Sequence, residues 1–188
     1  MSFDSIPRRL FEQGRNRPEA PAFYAKSGGI YRPTRYREYA AVVRRAAKSL
    51  RALGVGPGKA TCVLGFNRPE WVIFHVATMT AGAAAAGIYT SCSAEEVAYI
   101  VNHAEAPVVL VENQAQYDKL KRESDKVPLL QHIVLMSGAP KMERSSSSWS
   151  ISTARRSRRE SIDASRSMTT PPNRTRGWSC TACLRRNM

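Results

Sequence analysis

The side chains whose spacing is best suited to chemistry are two cysteines near the carboxyl end of the sequence. Cys180 and Cys183 have the C-x-x-C spacing of half a zinc site. A structural zinc ion needs four ligands, and the surrounding residues supply neither a second pair nor a histidine, so the spacing does not predict a metal site. Thioredoxin-like redox use needs a βαβ setting, whereas this pair follows an arginine- and serine-rich run.

The histidines and paired carboxylates of the body have structural explanations. His75 lies in a strongly apolar segment and is interpreted as a hydrogen-bonded core histidine, and His132 is isolated. His103 falls at a predicted helix end, where an imidazole meets the negative end of the helix dipole. Glu95 and Glu96 fall at a predicted helix start, which favours acidic residues. The sequence therefore assigns no catalytic, cofactor-binding or metal-ligating residue.

Two further features are suggestive but carry no chemistry. The glycines of "GAAAAG" (82–87) follow a predicted helix and enter a strand, whereas a dinucleotide-binding loop leaves a strand and enters a helix with the spacing G-x-G-x-x-G. This segment is therefore not a dinucleotide site. Cys62 and Cys92 are interpreted as small buried hydrophobic residues.

Alternating strands and helices make up the body of the chain. Predicted strands begin near 60, 84, 107 and 132, and this interval of about 24 residues is the length of a βα unit, which predicts a parallel sheet with right-handed crossovers. The run "PVVLVE" (107–112) is typical of a strand buried on both faces. "PAFYAK" and "GIYRPT", on either side of Gly28 and Gly29, predict a hairpin.

Capping residues predict where the helices begin. The first predicted helix runs from the N-cap Thr34 to about Leu53, and the second begins at the N-cap Asn67, with Pro69 in its first turn and Glu70 completing a capping box. The third begins at the N-cap Ser93, with Glu96 completing a capping box, and ends near His103. A fourth helix is predicted around 114–124.

The composition divides the chain into two parts. Residues 141–188 carry 11 Lys and Arg against 3 acidic side chains, a net charge of +8 out of +14, and contain no Val, Phe or Tyr. Such a segment cannot bury enough apolar surface to fold, so we predict a domain over 1–140 and a disordered tail over 141–188. No apolar run reaches the roughly 18–20 residues of a membrane span, and the N-terminus is charged, so a cytoplasmic location is expected.

A family resemblance covers roughly residues 5–140. The segments "YREYAAVVRRAAKSLRALGVGPGK" and "VLGFNRPEWVIFHVATMTAGAAAAGIYTSCSAEEVAYIVNHAEAPVVLVEN" resemble the N-terminal part of AMP-forming acyl-CoA synthetases, especially long-chain fatty acid–CoA ligases of the bubblegum type. The resemblance implies an α/β fold, ATP, Mg²⁺ and coenzyme A as cofactors of the full-length family, and a fatty acid substrate. A fatty acid carboxylate would attack ATP to give an acyl-adenylate, from which the coenzyme A thiol displaces AMP.

The sequence departs from the family where the phosphates would be held. Family members carry a loop like T-S-G-T-T-G-x-P-K-G after the matched segment, and none of the 188 residues forms such a loop. We therefore expect an incomplete parallel sheet, an open edge strand prone to self-association, and no activity from this chain alone. The tail is interpreted as a shifted reading frame or aberrant gene model, or as a natural disordered tail. The alternative function is a small α/β module whose basic tail binds nucleic acid or anionic surfaces.

Overall fold

The computed structural model describes residues 4–136 in full and the backbone of two short strands, 149–152 and 183–186. Its elements, in chain order, are α1 (Ile6–Asn16), β1 (Pro21–Ser27), β2 (Ile30–Arg35), α2 (Tyr36–Ala52), β3 (Ala60–Leu64), α3 (Pro69–Thr80), β4 (Ala84–Ile88), α4 (Ala94–His103), β5 (Val108–Val111), α5 (Gln114–Arg122), a 3₁₀ turn (Ser124–Lys126), β6 (His132–Leu135), β7 (Trp149–Ser152) and β8 (Cys183–Arg186).

The central sheet has the strand order β4-β3-β5-β6-β8-β7. The first four strands are parallel, which confirms the predicted series of βα units. β8 then pairs antiparallel with β6, and β7 pairs antiparallel with β8. β7 and β8 lie within residues 141–188, for which a disordered tail was predicted. The other residues of this predicted tail lie outside those that the structure describes.

Each face of the sheet is covered by a different set of helices. The side chains of β5 point alternately to the two faces of the sheet, and all four residues are completely buried, so both faces must be covered. Val108 and Leu110 pack with α1, α2 and α3, whereas Val109 and Val111 pack with α4 and α5. The core therefore consists of two apolar layers separated by the sheet.

A separate antiparallel hairpin, β1 and β2, joins α1 to α2. Gly28 and Gly29 both have positive φ, 61° and 81°, as the two central residues of a type I′ turn require, so the predicted hairpin is confirmed. Phe23 meets the ring of Tyr39 edge-on with the centroids 5.3 Å apart, which fixes the hairpin against α2.

Two predicted helix starts were wrong, and one was confirmed. Thr34 lies in the ladder of β2, and the N-cap of α2 is Arg35. The N-cap of α3 is Arg68 rather than Asn67, because a residue that precedes proline is held in the extended region; here φ is −112° and ψ is 164°. Ser93 does cap α4 through the predicted capping box. Helix α1 was not predicted.

Candidate functional site at the carboxyl edge of the sheet

The connections that follow the neighbouring strands β3 and β5 run in opposite directions across the sheet. From β3 the chain passes to α3 on one face and to the neighbouring strand β4, whereas the chain leaves β4 and β5 through α4 and α5 on the other face. In open α/β sheets, ligands bind outside the carboxyl ends of the strands at such a reversal. The candidate site is therefore the edge formed by the residues that follow β3, β4 and β5.

One arginine lies between two largely buried carboxylates at this edge. An Nη2 atom of Arg68 is 3.2 Å from Glu70 Oε1, and its Nη1 atom is 3.9 Å from Glu112 Oε1. The side chains of Glu70 and Glu112 are only 11% and 13% exposed. Glu112 also accepts a hydrogen bond of 3.0 Å from the backbone N–H of Phe66. The loop after β3 is thus held against the end of β5.

The same loop needs a glycine at its first position. A Cβ atom on Gly65 would lie 2.9 Å from Glu112 Cβ and 3.0 Å from Met136 Cε, closer than ordinary van der Waals contact. Its absence lets the ends of β3, β5 and β6 approach one another. Gly65 is therefore a packing requirement of this edge.

The loop after β4 is anchored by a lysine from α5. Lys119 Nζ donates hydrogen bonds of 2.8 Å to the carbonyl oxygen of Thr90 and 2.6 Å to that of Cys92. Two aromatic side chains project at the same edge: Phe66 is 65% exposed and Tyr89 is 83% exposed. The edge thus combines a fixed backbone with apolar side chains that have no cover among the described residues.

A cavity of about 710 Å³ lies between the hairpin and the start of α3, beside this edge. Arg68 and Glu70 belong to its wall together with Tyr39, whose phenol has a pKa raised by burial. The other lining residues are Ala22, Phe23, Tyr24, Ala25, Lys26, Asn67, Pro69 and Val72. The cavity therefore joins an apolar hairpin surface to the charged cluster.

The three histidines lie on three different elements, α3, α4 and β6. His75 stacks on Trp71 with the ring centroids 4.6 Å apart, and its buried Nδ1 has no hydrogen-bond partner among the described residues, so the prediction of a hydrogen-bonded ring was wrong for this atom. Burial lowers the pKa of His75. His103 ends α4 as predicted and stacks on Tyr99, and His132 is buried in β6.

Cys62 and Cys92 both pack with the apolar core. Cys62 is completely buried, as predicted, and burial raises the pKa of its thiol to about 12. Cys92 is half-buried against the second apolar layer. Cys180 lies outside the described residues, and only the backbone of Cys183 is described, in β8. The sequence analysis did not find the cluster at the carboxyl edge, because Phe66 and its partner Glu112 are 46 residues apart in the chain.

The parallel sheet, with helices on both faces, has the fold of the N-terminal part of acyl-CoA ligases. Residues 10–174 match the AMP-binding enzyme family, and the chain belongs to this family. The matched range continues beyond Pro140 into the arginine- and serine-rich segment.

Curated relatives are long-chain-fatty-acid–CoA ligases. The chain is 35% identical to ACSBG2 of Xenopus laevis over 127 residues, which are 67% of this chain and 17% of the relative. It is 38% identical to human ACSBG2 over 100 residues, which are 53% of this chain and 15% of that protein. The chain therefore spans about a sixth of the length of these relatives.

Solved structures share the fold at low sequence identity. The inhibitor-bound N-terminal domain of FACL13 from Mycobacterium tuberculosis has a TM-score of 0.65 and 22% identity over 71% of this chain and 34% of that one. The anthranilate CoA ligase AuaEII, in complex with anthranoyl-AMP, has a TM-score of 0.62 and 22% identity over 74% and 26%. Among residues 4–136 and the two short strands, no helix has the length and apolarity needed to span a bilayer.

Proposed function

We propose that this chain supplies the N-terminal scaffold of a long-chain fatty acid–CoA ligase and acts in the cytoplasm. The observation that carries the proposal is the match of residues 10–174 to the AMP-binding enzyme family. In the proposed reaction, a fatty acid carboxylate attacks ATP and releases pyrophosphate, and the coenzyme A thiol then displaces AMP from the acyl-adenylate. ATP, Mg²⁺ and coenzyme A would be the cofactors of the complete ligase.

The role of this chain in that reaction is positioning. The Arg68–Glu112 contact and the Phe66 hydrogen bond hold the loop after β3, and the Lys119 hydrogen bonds hold the loop after β4. Fixed loops at a carboxyl edge are what a ligand site needs from its scaffold.

We further propose that these residues do not activate a fatty acid by themselves. A polyphosphate needs clustered backbone N–H groups and free cations. At this edge, one guanidinium faces two carboxylates, and the ammonium group of Lys119 is engaged by two carbonyl oxygens. The glycine- and threonine-rich loop with its lysine is absent from the 188 residues.

A chimera tests the scaffold assignment. The matched 127-residue region of Xenopus laevis ACSBG2 is replaced by the corresponding region of this chain, and AMP release is measured with a long-chain fatty acid, ATP and coenzyme A. The expected result is acyl-CoA formation, which is lost with Gly65→Val and retained with Gly56→Ala, whose Cβ would meet nothing within 4 Å. A folded but inactive chimera contradicts the scaffold role. AMP release by this chain alone contradicts the second part of the proposal.

We also propose that the folded domain ends near Pro140 and that residues 141–188 come from a shifted reading frame. The change to an Arg- and Ser-rich composition supports this proposal, whereas the family match that continues to residue 174 and the pairing of β8 with β6 weigh against it. Sequencing the coding DNA from about codon 125 and translating all three frames decides the matter. A phosphate-loop motif in another frame is the expected result, and its absence from every frame supports a natural tail.

The open edge of the sheet supports a proposal of self-association. β4 pairs only with β3 among the described strands, and residues 71–94 contain no Asp, Glu, Lys or Arg. Edge strands are normally protected by charge, proline or a bulge. We expect concentration-dependent oligomers in light scattering, which Ala84→Lys, at an exposed position of β4, reduces; a monomeric chain at all concentrations contradicts the proposal.

The second candidate function is a small α/β module whose basic tail binds nucleic acid or anionic surfaces. The net charge of +8 in residues 141–188 favours it. Filter binding with RNA at physiological salt tests it: tight binding that is lost when the tail arginines are replaced by glutamine supports the module. Weak binding that the substitutions leave unchanged rejects it.

A further inference from the structure

A long stretch of the chain around α2 has only basic charges. Between Tyr39 and Pro69 the sequence contains six Lys and Arg residues and no Asp or Glu. Four of the six belong to α2, where a helical repeat brings residues 44, 48 and 51 to one side. The local charge is therefore concentrated on one element.

These four side chains form a continuous exposed surface, which we call the α2 basic face: Arg44, Arg45, Lys48 and Arg51. The opposite side of the helix is the buried side, where Val43, Ala47 and Leu50 are at most 5% exposed. The burial of that side fixes the orientation of the helix, so the basic side chains point away from the core.

The charges of this face are not neutralised by the acidic side chains of residues 4–136. Arg45, Lys48 and Arg51 have no acidic partner among the described residues. Arg37, in the first turn of the same helix, does have one, because it pairs with Glu19. The guanidinium carbon of Arg44 lies 4.9 Å from the centroid of the Phe11 ring on α1, a cation–π contact that leaves its charge in place. The face therefore carries four positive charges available to an anionic partner.

We propose that the α2 basic face docks the protein on the surface of a lipid bilayer that contains anionic lipids. The outer side of a helix offers no groove that would follow a single strand of nucleic acid. The exposed positions between the basic side chains are the small residues Ser49 and Ala52, so no ring is available to stack on bases. Long cationic side chains separated by small residues can spread on a flat surface and reach lipid phosphates.

This inference does not depend on the proposed ligase function, because it rests only on the charges and exposure of α2. Near an anionic membrane, each Lys or Arg strengthens binding by a factor of about five. Neutralising three of the four residues should therefore weaken vesicle binding by roughly 100-fold. The binding should also weaken as salt is added.

The test uses the full chain with vesicles of phosphatidylcholine and phosphatidylserine, and with vesicles of phosphatidylcholine alone. The first variant combines Arg45→Gln, Lys48→Gln and Arg51→Gln, since glutamine is a good helix former. The matched control removes the same charge elsewhere with Arg155→Gln, Arg156→Gln and Arg158→Gln. A charge-conserving variant, Arg45→Lys with Arg51→Lys, checks that the helix tolerates substitution.

We expect the wild type, the control and the charge-conserving variant to bind the phosphatidylserine vesicles, and the α2 variant to bind roughly 100-fold more weakly with an unchanged far-UV circular dichroism spectrum. Equal binding to neutral vesicles overturns the proposal. A loss of vesicle affinity in the control as large as in the α2 variant also overturns the proposal, since the total charge would then explain the binding. A single-stranded RNA affinity that falls in the α2 variant while vesicle binding is kept assigns the face to nucleic acid instead.

Discussion

Replacing Gly65 by alanine should destabilise the domain through one defined overlap. The new Cβ would stand 2.9 Å from Glu112 Cβ and 3.6 Å from Glu112 Cα. Both atoms belong to or adjoin the backbone at the end of β5, so relief requires the strand end to move. Met136 Cε, at 3.0 Å, is the free end of a flexible side chain and can rotate away.

The cost follows from three contributions to the free energy of unfolding. Overpacking at the strand end costs about 2 kcal/mol, and weakening the Phe66 N–H bond to Glu112 costs about 1 kcal/mol. The reduced freedom of the unfolded chain returns roughly 0.5–1 kcal/mol. The net loss is about 2 kcal/mol, or about 6 °C in melting temperature for a domain of this size.

Gly56→Ala is the matched control, because its φ is not positive and its Cβ would contact nothing within 4 Å. It should leave stability unchanged or raise it by up to about 1 kcal/mol. Urea denaturation followed by far-UV circular dichroism compares the two variants at constant m-value. Equal midpoints for Gly65→Ala and Gly56→Ala would refute the steric argument, and unchanged hydrogen exchange of the Phe66 amide would refute its coupling to Glu112.

Three further substitutions test local features of the fold. Ser93→Ala removes the 3.2 Å bond to the Glu96 N–H and should cost about 1 kcal/mol in urea denaturation, while the exposed Ser91→Ala should cost nothing. Glu105→Gly should raise stability by about 1 kcal/mol, measured by calorimetry, because Glu105 has a φ of 48°. Burial lowers the pKa of His75 below 6.5, so its folded form binds a proton more weakly than the unfolded chain does. Stability should fall as the pH drops through 6.5, and His75→Phe should flatten that part of the profile.

Local signals decided which helix starts could be predicted. Ser93 and Glu96 satisfy each other's backbone N–H groups within one turn, so their capping box can be recognised from four residues of sequence. Asn67 was a plausible cap by residue type, but Pro69 forces its predecessor Arg68 into the extended region and moves the cap to it. Here one local rule overrode another.

Longer-range pairing explains the other differences. Thr34 was assigned both to the end of the hairpin strand "GIYRPT" and to the helix cap; its pairing with Phe23 keeps it in the ladder, and Arg35 is the cap. Helix α1 was missed because its segment is highly charged, although Ser5 and Pro7 are start signals that could have revealed it. The sheet itself was predictable, since the apolar content of 107–112 and the βα interval are properties of the sequence alone.

The candidate site was not predictable for a physical reason. The bond between Phe66 and Glu112 spans 46 residues, and the bonds from Lys119 to the loop after β4 span 29 and 27. Such contacts arise from the order of the strands, which sequence periodicity does not specify. The charges that form the α2 basic face were visible, but their exposure and lack of partners required the packing of α2 against its neighbours.

The assignment of the two sheet faces to different helices sets the order in which they can be covered during synthesis. α1, α2 and α3, which cover one face, have all been made by Thr80. The other face, with Cys62 and Leu64 of β3, packs with α4 and α5, and α5 ends only at Arg122. From Thr80 to Arg122 the ribosome adds 42 residues, which takes roughly 2–8 s. During that interval the nascent chain presents a half-covered apolar strand, so its need for chaperones is greatest before α5 emerges.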